Sequence, residues 1–255
     1  MKFTKENLIQ QFSDAGLKHN DTVLIHSSMK KIGDVNGGAE TVFSAFEEYF
    51  SEGLIAFPTL TWKIGLYPSA GNVYSVRDSA TDIGLLPELF RHRSGVVRSL
   101  LPTHSLTAKG RDAENFCHVE PTAIKSSLPW DSPWGRLYER KAKILFIGCT
   151  VQSCTFFHAV EEKAAVPGLF DPVAKHVKII DYDGNETEID MYRHLGAHSK
   201  YYRLTESLLF AENALEITKI GAAKTYILDA EKACDAVLKL LKNNPQFFMD
   251  SYQEE

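Results

Sequence analysis

The chain is poor in the features that mark an oxidised, membrane-bound or nucleic-acid-binding protein. Only four cysteines occur in 255 residues, at positions 117, 149, 154 and 234, and none forms a CxxC pair. At that density they are expected to be reduced thiols and not a disulfide framework. No apolar run approaches the roughly 20 residues needed to span a bilayer. The best runs, TVLIH and ILFIG, are about strand length. The N-terminal MKFTKENLIQQF is polar and amphipathic and lacks the apolar centre of a secretory signal. A cytoplasmic protein is therefore the expectation. Positive charge is also short: 28 Lys and Arg stand against 33 Asp and Glu, a net charge of -5. The small basic groups (Arg91, Arg93 and Arg98; Lys239 and Lys242) are broken by apolar or acidic residues. Neither a nucleic-acid nor a membrane partner is expected, and the acidic balance suits a cationic small molecule. Internal repeats, low-complexity tracts and flexible linkers are missing too, so one domain over residues 1–255 is expected.

What remains is an ordinary globular chain, 44% hydrophobic and 24% charged, large enough to bury a substantial core. Residues 4 to 15 fit a helix, with Thr4 as cap, Leu8, Phe12 and Ala15 on one side, and Gly16 as stop. Thr22 to His26 is a short β-branched strand leading into the loop SSMKKIGDVNGG. Glycines 37 and 38 close that loop and open a helix in which Val42, Phe43, Phe46, Tyr49 and Phe50 recur at helical spacing. LIAFP is a buried-type strand ending at Pro58. Residues 59 to 83 (Trp62, Tyr67, Pro68, Gly71 and Tyr74 among them) show no steady period and predict a long surface excursion. A short helix over 84 to 93 carries Pro87 in its first turn. A strand over Ile144 to Gly148 precedes a helix that begins near Ser153 and carries FFHAVEE. VKIIDYDGNETEID fits a hairpin turning at Asp183-Gly184. TYILD gives a strand, and Ala230 to Leu241 a last helix. Alternation of apolar strands with helices predicts a layered α/β fold.

Four clusters carry chemistry. His158, Glu161 and Glu162 lie three and four residues apart, so they share a helix face. A glutamate holding one imidazole nitrogen fixes the tautomer and leaves the other nitrogen as a base, though surface His-Glu pairs on helices are also common. His26-Ser27-Ser28-Met29-Lys30 follows a strand, where hydroxyls and free N–H groups bind phosphate or simply cap a helix. Arg98 to Gly110 combines an arginine, hydroxyls and His104 around Pro102; an arginine fork suits phosphate, and an irregular strand with polar edges fits as well. In Asp131-Ser132-Pro133-Trp134-Gly135, Asp131 can meet an ammonium or start a turn.

Taken together and in order, these segments resemble the aminoglycoside 3-N-acetyltransferase family. The segments are HSSMKKIGDVNGGAETVFSAFEEYF with GLIAFPTLTW, then RSLLPTHSLTAKG, then DSPWGRLYERKAKILFIGCTVQSCTFFHAVEE. The likeness runs from about residue 20 to 165 and is loose beyond. Leu101 departs from it, standing where many members have a histidine, and residues 63 to 83 are idiosyncratic. The Arg/Gln-x-x-Gly-x-Gly/Ala loop of the more widespread acetyltransferase fold is not found.

The resemblance implies an α/β fold with a mixed central sheet flanked by helices and a small extra antiparallel portion. It implies acetyl-CoA as acyl donor, and a coenzyme A cleft beside an acidic pocket for a small-molecule amine. On matching positions, His158 becomes the base and Glu161 its partner. Ser27, Ser28, Met29, Lys30, Arg98, Ser99, Thr103, Ser105 and Thr107 become candidate coenzyme A contacts. Asp131 becomes a candidate acceptor contact; Tyr74 and Glu212 are further candidates, and Asp78 and Asp82 are acidic residues of the idiosyncratic region. Three other readings stand beside this one. Cys149 or Cys154 fits a covalent acyl-enzyme activated by histidine. Cys149, Cys154 and His158 are zinc-type ligands, but a fourth is not evident, so no metal is expected. A coenzyme A-binding relative without activity is the third.

Overall fold

A computed structural model describes residues 2–66, 71–196 and 198–249. The first helix, α1 (Lys5–Asp14), starts at Thr4, whose hydroxyl accepts from Asn7 N–H while the Asn7 side chain accepts from Thr4 N–H. This reciprocal cap satisfies two of the donors that a helix start leaves open. After it come β1 (Thr22–Ser27), the single turn α2 (Met29–Ile32), α3 (Ala39–Tyr49) and β2 (Leu54–Pro58). Then follow β3 (Val73–Ser75), α4 (Leu85–Phe90), β4 (Val97–Arg98), β5 (Leu106–Gly110), α5 (Ala113–Cys117), α6 (Pro133–Glu139), β6 (Lys143–Ile147) and α7 (Phe156–Lys163). The remainder is β7 (Lys175–Ile180), β8 (Glu186–Met191), a 3-10 segment (His198–Thr205), α8 (Glu206–Ala211), β9 (Leu215–Ile220), β10 (Ala223–Asp229) and α9 (Ala230–Asn243).

Seven strands form one sheet in the order β4-β5-β2-β1-β6-β10-β9. Its centre, β2-β1-β6, is parallel, and both flanks are antiparallel. Strands covered on both faces read as unbroken apolar runs, which is why TVLIH and KILFI carry no polar alternation. The two-residue side-chain period still sorts them. Val23, Ile25, Leu145 and Ile147 enter one core with α1 and α3, while Leu24, Ile144 and Phe146 enter the other with α6, α7 and α9. The second sheet is small: β7 pairs antiparallel with β8, and β3 adds to β7 in parallel. Gly184 takes a positive φ of 84° in the turn between β7 and β8.

The excursion after β2 corrects a sequence expectation. It runs only partly over the surface. Thr59, Leu60, Thr61, Ile64, Tyr74 and Val76 are buried, and its middle supplies β3. Tyr67 and Pro68 lie outside the described residues. A buried irregular segment leaves carbonyls that need donors, and two buried arginines supply them. Arg98 donates to Thr59 O at 2.8 Å, Ser79 O at 2.6 Å and Ser105 Oγ at 3.0 Å, with its guanidinium over the Tyr74 ring. Arg193 donates to Trp62 O and Ile64 O. No helix among the described residues is long and apolar enough to cross a membrane.

Candidate functional site

In open α/β sheets the crevice beyond the carboxyl ends of parallel strands, where the chain order reverses, is the usual ligand site. Here β1 is that point, because its neighbours β2 and β6 come from different parts of the chain. A cleft of about 1020 Å³ opens there, with walls that include His26 and Ser27 from the end of β1, Pro58 from β2, and Gly148 to Thr150 after β6. Its volume is at the upper end of small-molecule sites. Gly148 has φ +72°, and a Cβ there would lie 2.6 Å from Lys31 Cβ. Glycine thus lets the loop after β6 close against α2, with Lys31 on the cleft wall.

The far wall holds a network of imidazoles and carboxylates. His158, at the start of α7, is 17% exposed and faces the cleft. Its Nδ1 lies 3.1 Å from Glu161 Oε2, 2.6 Å from the Tyr202 hydroxyl and 3.2 Å from His194 Nδ1. Its Nε2 has no hydrogen-bond partner among the described residues. Glu161 is buried and also receives the Tyr202 hydroxyl and, at 2.8 Å, His198 Nδ1. Burial alone raises its pKa, but the hydrogen bonds from His158 and His198 overcome that and hold its carboxyl at about 2. His158 shows the opposite balance: burial lowers its pKa below 6.5 more than Glu161 raises it. The ring stays neutral and basic at pH 7. His158, Glu161 and His194 offer ligand atoms within 4.8 Å of one another. Those atoms already face each other and Tyr202 as donors and acceptors, which makes the group a proton network.

His26 stacks on Phe146 at 5.1 Å, and its Nε2 and the neighbouring Ser27 Oγ are buried without a partner. Burial pushes the His26 pKa down to about 3. A histidine buried as the neutral form contributes stability that is full above its unfolded value of 6.5 and is lost as pH falls from there toward 3. Between pH 7 and 5 that loss is about 2 kcal/mol for one such ring. Replacing His26 with Phe should flatten the fall in thermal midpoint over this range by that share. An unchanged slope would show that the ring titrates normally.

The sequence-predicted residues divide. His158, Glu161 and Ser27 come together at the cleft, Glu161 just behind its wall. Ser28 stands at the N-cap position of α2 without a side-chain capping bond, Met29 packs against the core beneath it, and Lys30 is exposed; none lines the cleft. Arg98, Ser99, Ser105 and Thr107 are buried and consumed internally: Arg98 in the clamp above, Ser99 Oγ accepting from Leu106 N–H, Ser105 donating to Thr59 O, and Thr107 to Phe57 O. Thr103 holds the Nδ1 of His104 at 2.9 Å, and His104 lines the cleft with burial pushing its pKa well below 6.5. Tyr74 is buried, its hydroxyl donating to Ser99 O. Asp131 is fully exposed, 3.5 Å from Arg136, while Trp134 of the same motif donates to His104 O. Glu212 is exposed at the end of α8. Asp78 accepts from Ser75, and Asp82 pairs with Lys63. Burial raises the Cys149 thiol to about 11 and Cys154 further. Neither is joined to a histidine by a hydrogen bond among the described residues, so nothing there generates a thiolate.

Sequence reasoning left out His194, His198 and Tyr202, and gave Glu162 no role. Their signal was available: 194, 198 and 202 are spaced by four in RHLGAHSKYY. The implied acidic pocket also differs from what is seen. Among the described residues the cleft wall carries one carboxylate, Asp171, against Lys31, Lys175 and Arg193, and Asp171 is paired with Lys175 at 2.9 Å.

Residues 24–242 match the family model described as aminoglycoside 3-N-acetyltransferase. The chain is 27% identical over 260 residues to the SPbeta prophage-derived aminoglycoside N(3')-acetyltransferase-like protein YokD of Bacillus subtilis (strain 168), covering 94% of this chain and 93% of that one. It is 30% identical over 189 residues to aminoglycoside N(3)-acetyltransferase VII of Streptomyces paromomycinus, covering 65% of this chain and 62% of that relative. The crystal structure of YokD superposes with a TM-score of 0.83 at 25% identity, over 96% of this chain and 95% of that one. A structure of AAC-IIIb with CoASH shares the fold, with a TM-score of 0.81 at 20% identity over 96% and 98% of the two chains.

Proposed function

The chain belongs to the aminoglycoside 3-N-acetyltransferase family, and from that premise we propose that it transfers an acetyl group from acetyl-CoA to an amine of an aminoglycoside or related amino sugar. The observation that carries the reading is His158, with Nδ1 held by Glu161 and Tyr202 and Nε2 open to a cleft of about 1020 Å³.

Bound acetyl-CoA supplies an acetyl group already activated as a thioester. The donor fits the residues present: Lys31 on the wall offers charge for phosphate, beside Lys175 and Arg193, which are already paired with Asp171 and with the Trp62 and Ile64 carbonyls, and the orphaned Ser27 Oγ gains a partner when the cleft is filled. Alkyl amines are protonated near neutrality and must lose a proton to attack. His158 Nε2 accepts that proton, directly or through water, while Nδ1–H stays on its acceptors. Glu161, ionised because His158 and His198 hydrogen bond to it, stabilises the imidazolium. The intact network argues against a binding protein without activity, and the protonated thiols argue against a cysteine acyl-enzyme.

The single carboxylate on the described wall favours a second reading of the acceptor: an amino sugar of low positive charge over a polycationic aminoglycoside. A spectrophotometric assay of thiol release from acetyl-CoA, run against aminoglycosides and singly charged amino sugars, separates the two by kcat/KM. If thiol release stays at the hydrolytic background with every amine, the acyl-transfer reading fails.

A further inference from the structure

We propose that His194 is a positioning residue that locks His158 in the one tautomer able to act as a base. This inference rests on the reading of His158 as base and adds a second histidine to its control.

A neutral imidazole carries its proton on one nitrogen only, and hydrogen bonding decides which. His158 serves the cleft only when the proton is on Nδ1, leaving the Nε2 lone pair free. With the Tyr202 proton on Glu161, the Tyr202 oxygen accepts at His158 Nδ1 and favours this form, but the hydroxyl can rotate, so the pair does not fix it alone. Tyr202 lies 2.6 Å from His158 Nδ1, and a hydroxyl both donates and accepts. Should it turn its proton to Nδ1, His158 would carry hydrogen on Nε2 and lose its basic edge. Glu161 Oε2 is acceptor-only, but it is the more distant partner at 3.1 Å and already receives Tyr202.

His194 resolves the ambiguity through a chain of fixed polarities. Glu162 Oε1 receives the backbone N–H of Leu128 at 2.9 Å, and its Oε2 receives the Ser126 hydroxyl. Two donors hold this carboxylate in place, and it has no proton to give when ionised. Its Oε1 lies 2.7 Å from His194 Nε2, so that nitrogen must carry the hydrogen. His194 Nδ1 is then a lone pair, 3.2 Å from His158 Nδ1. Two lone pairs facing one another repel, so the shared proton sits on His158 Nδ1. Leu128 N–H and Ser126 thus set, through Glu162 and His194, whether the nitrogen facing the cleft is bare. Phe170 packs edge-on against His194 at 5.4 Å and holds its ring plane.

Nitrogen-15 NMR of the full-length protein labelled on histidine reads the tautomers directly at about pH 8. In the wild type, His158 shows a protonated Nδ1 and a bare Nε2, and His194 a protonated Nε2 and a bare Nδ1. In His194→Phe, the two His158 nitrogen shifts move toward each other as the second tautomer becomes populated. Turnover falls by about tenfold or more, the size known for outer partners of metal-bound histidines, while KM for acetyl-CoA stays within about twofold. A wild-type His194 protonated on Nδ1 overturns the proposal without any variant. So do His158 shifts that are unchanged in His194→Phe. His158→Ala separates the two levels: if it retains turnover, the base assignment itself is wrong; if it loses turnover while His194→Phe keeps it, only the lock is wrong.

Discussion

His158→Ala is expected to lower kcat by about two to four orders of magnitude, the usual worth of a positioned general base, while acetyl-CoA binding stays close to wild type. The ring stands at the cleft wall and not in the core, and removing it leaves Glu161 paired with Tyr202 and His198. Stability should therefore fall less than on loss of Glu161 itself, and a folded variant by circular dichroism makes the loss of turnover attributable to the imidazole. The pH dependence carries a second signature. Burial places the His158 pKa below 6.5, so the acid limb of kcat/KM should fall below that value, and the base should be fully available at pH 7. Titration calorimetry with coenzyme A and steady-state rates check both parts. Turnover within tenfold of wild type would remove His158 from the role.

Glu161→Gln should damage both stability and turnover. The carboxylate is 1% exposed and accepts from His158, His198 and Tyr202. An amide keeps the shape but turns one acceptor edge into a donor, so at least one of those groups is left facing an N–H. Breaking a buried charge-assisted cluster in this way costs about 3–5 kcal/mol. It also offers His158 Nδ1 a donor, favouring the wrong tautomer; such an error costs about 10⁴-fold in serine protease triads. The sign of the pH effect follows from the depressed pKa. The carboxyl titrates at 4.5 when unfolded and about 2 when folded, so its contribution is full above 4.5 and is lost as pH falls toward 2. The difference of about 2.5 units corresponds to about 3 kcal/mol. In denaturant unfolding, the gap between wild type and variant should be widest above pH 5 and narrow below 4.5. A gap of constant size across that range would mean that ionisation of Glu161 contributes nothing.

The parallel centre of the sheet was legible because its strands are buried on both faces, and TVLIH, LIAFP and ILFIG can be little else. The His158-Glu161 pair was legible because three residues apart on a helix is a contact distance. The residues after 190 were harder to find, because the spacing of four among 194, 198 and 202 does not by itself say that this face meets α7, about forty residues earlier in the chain. In the Arg98 to Gly110 motif the arginine and hydroxyls meet backbone groups of the excursion and its neighbours. These groups suit phosphate by chemistry, yet sequence cannot tell a polar group that meets a ligand from one that satisfies a buried carbonyl. The excursion after Pro58 needed those groups, and its lack of period hid that stretches of it are buried.

The proton network draws its members from distant stretches of chain: His158, Glu161 and Glu162 from α7, and His194, His198 and Tyr202 from beyond β8. A growing polypeptide that has emerged only as far as β7 already contains the whole parallel half of the main sheet and the helix bearing His158. It has Glu161 and Glu162 but still lacks His194, His198 and Tyr202, the groups that meet those carboxylates and that imidazole from beyond β8. The two halves of the network are thus separated by β7 and β8 in the chain, and it closes only when the segment beyond β8 folds back onto α7.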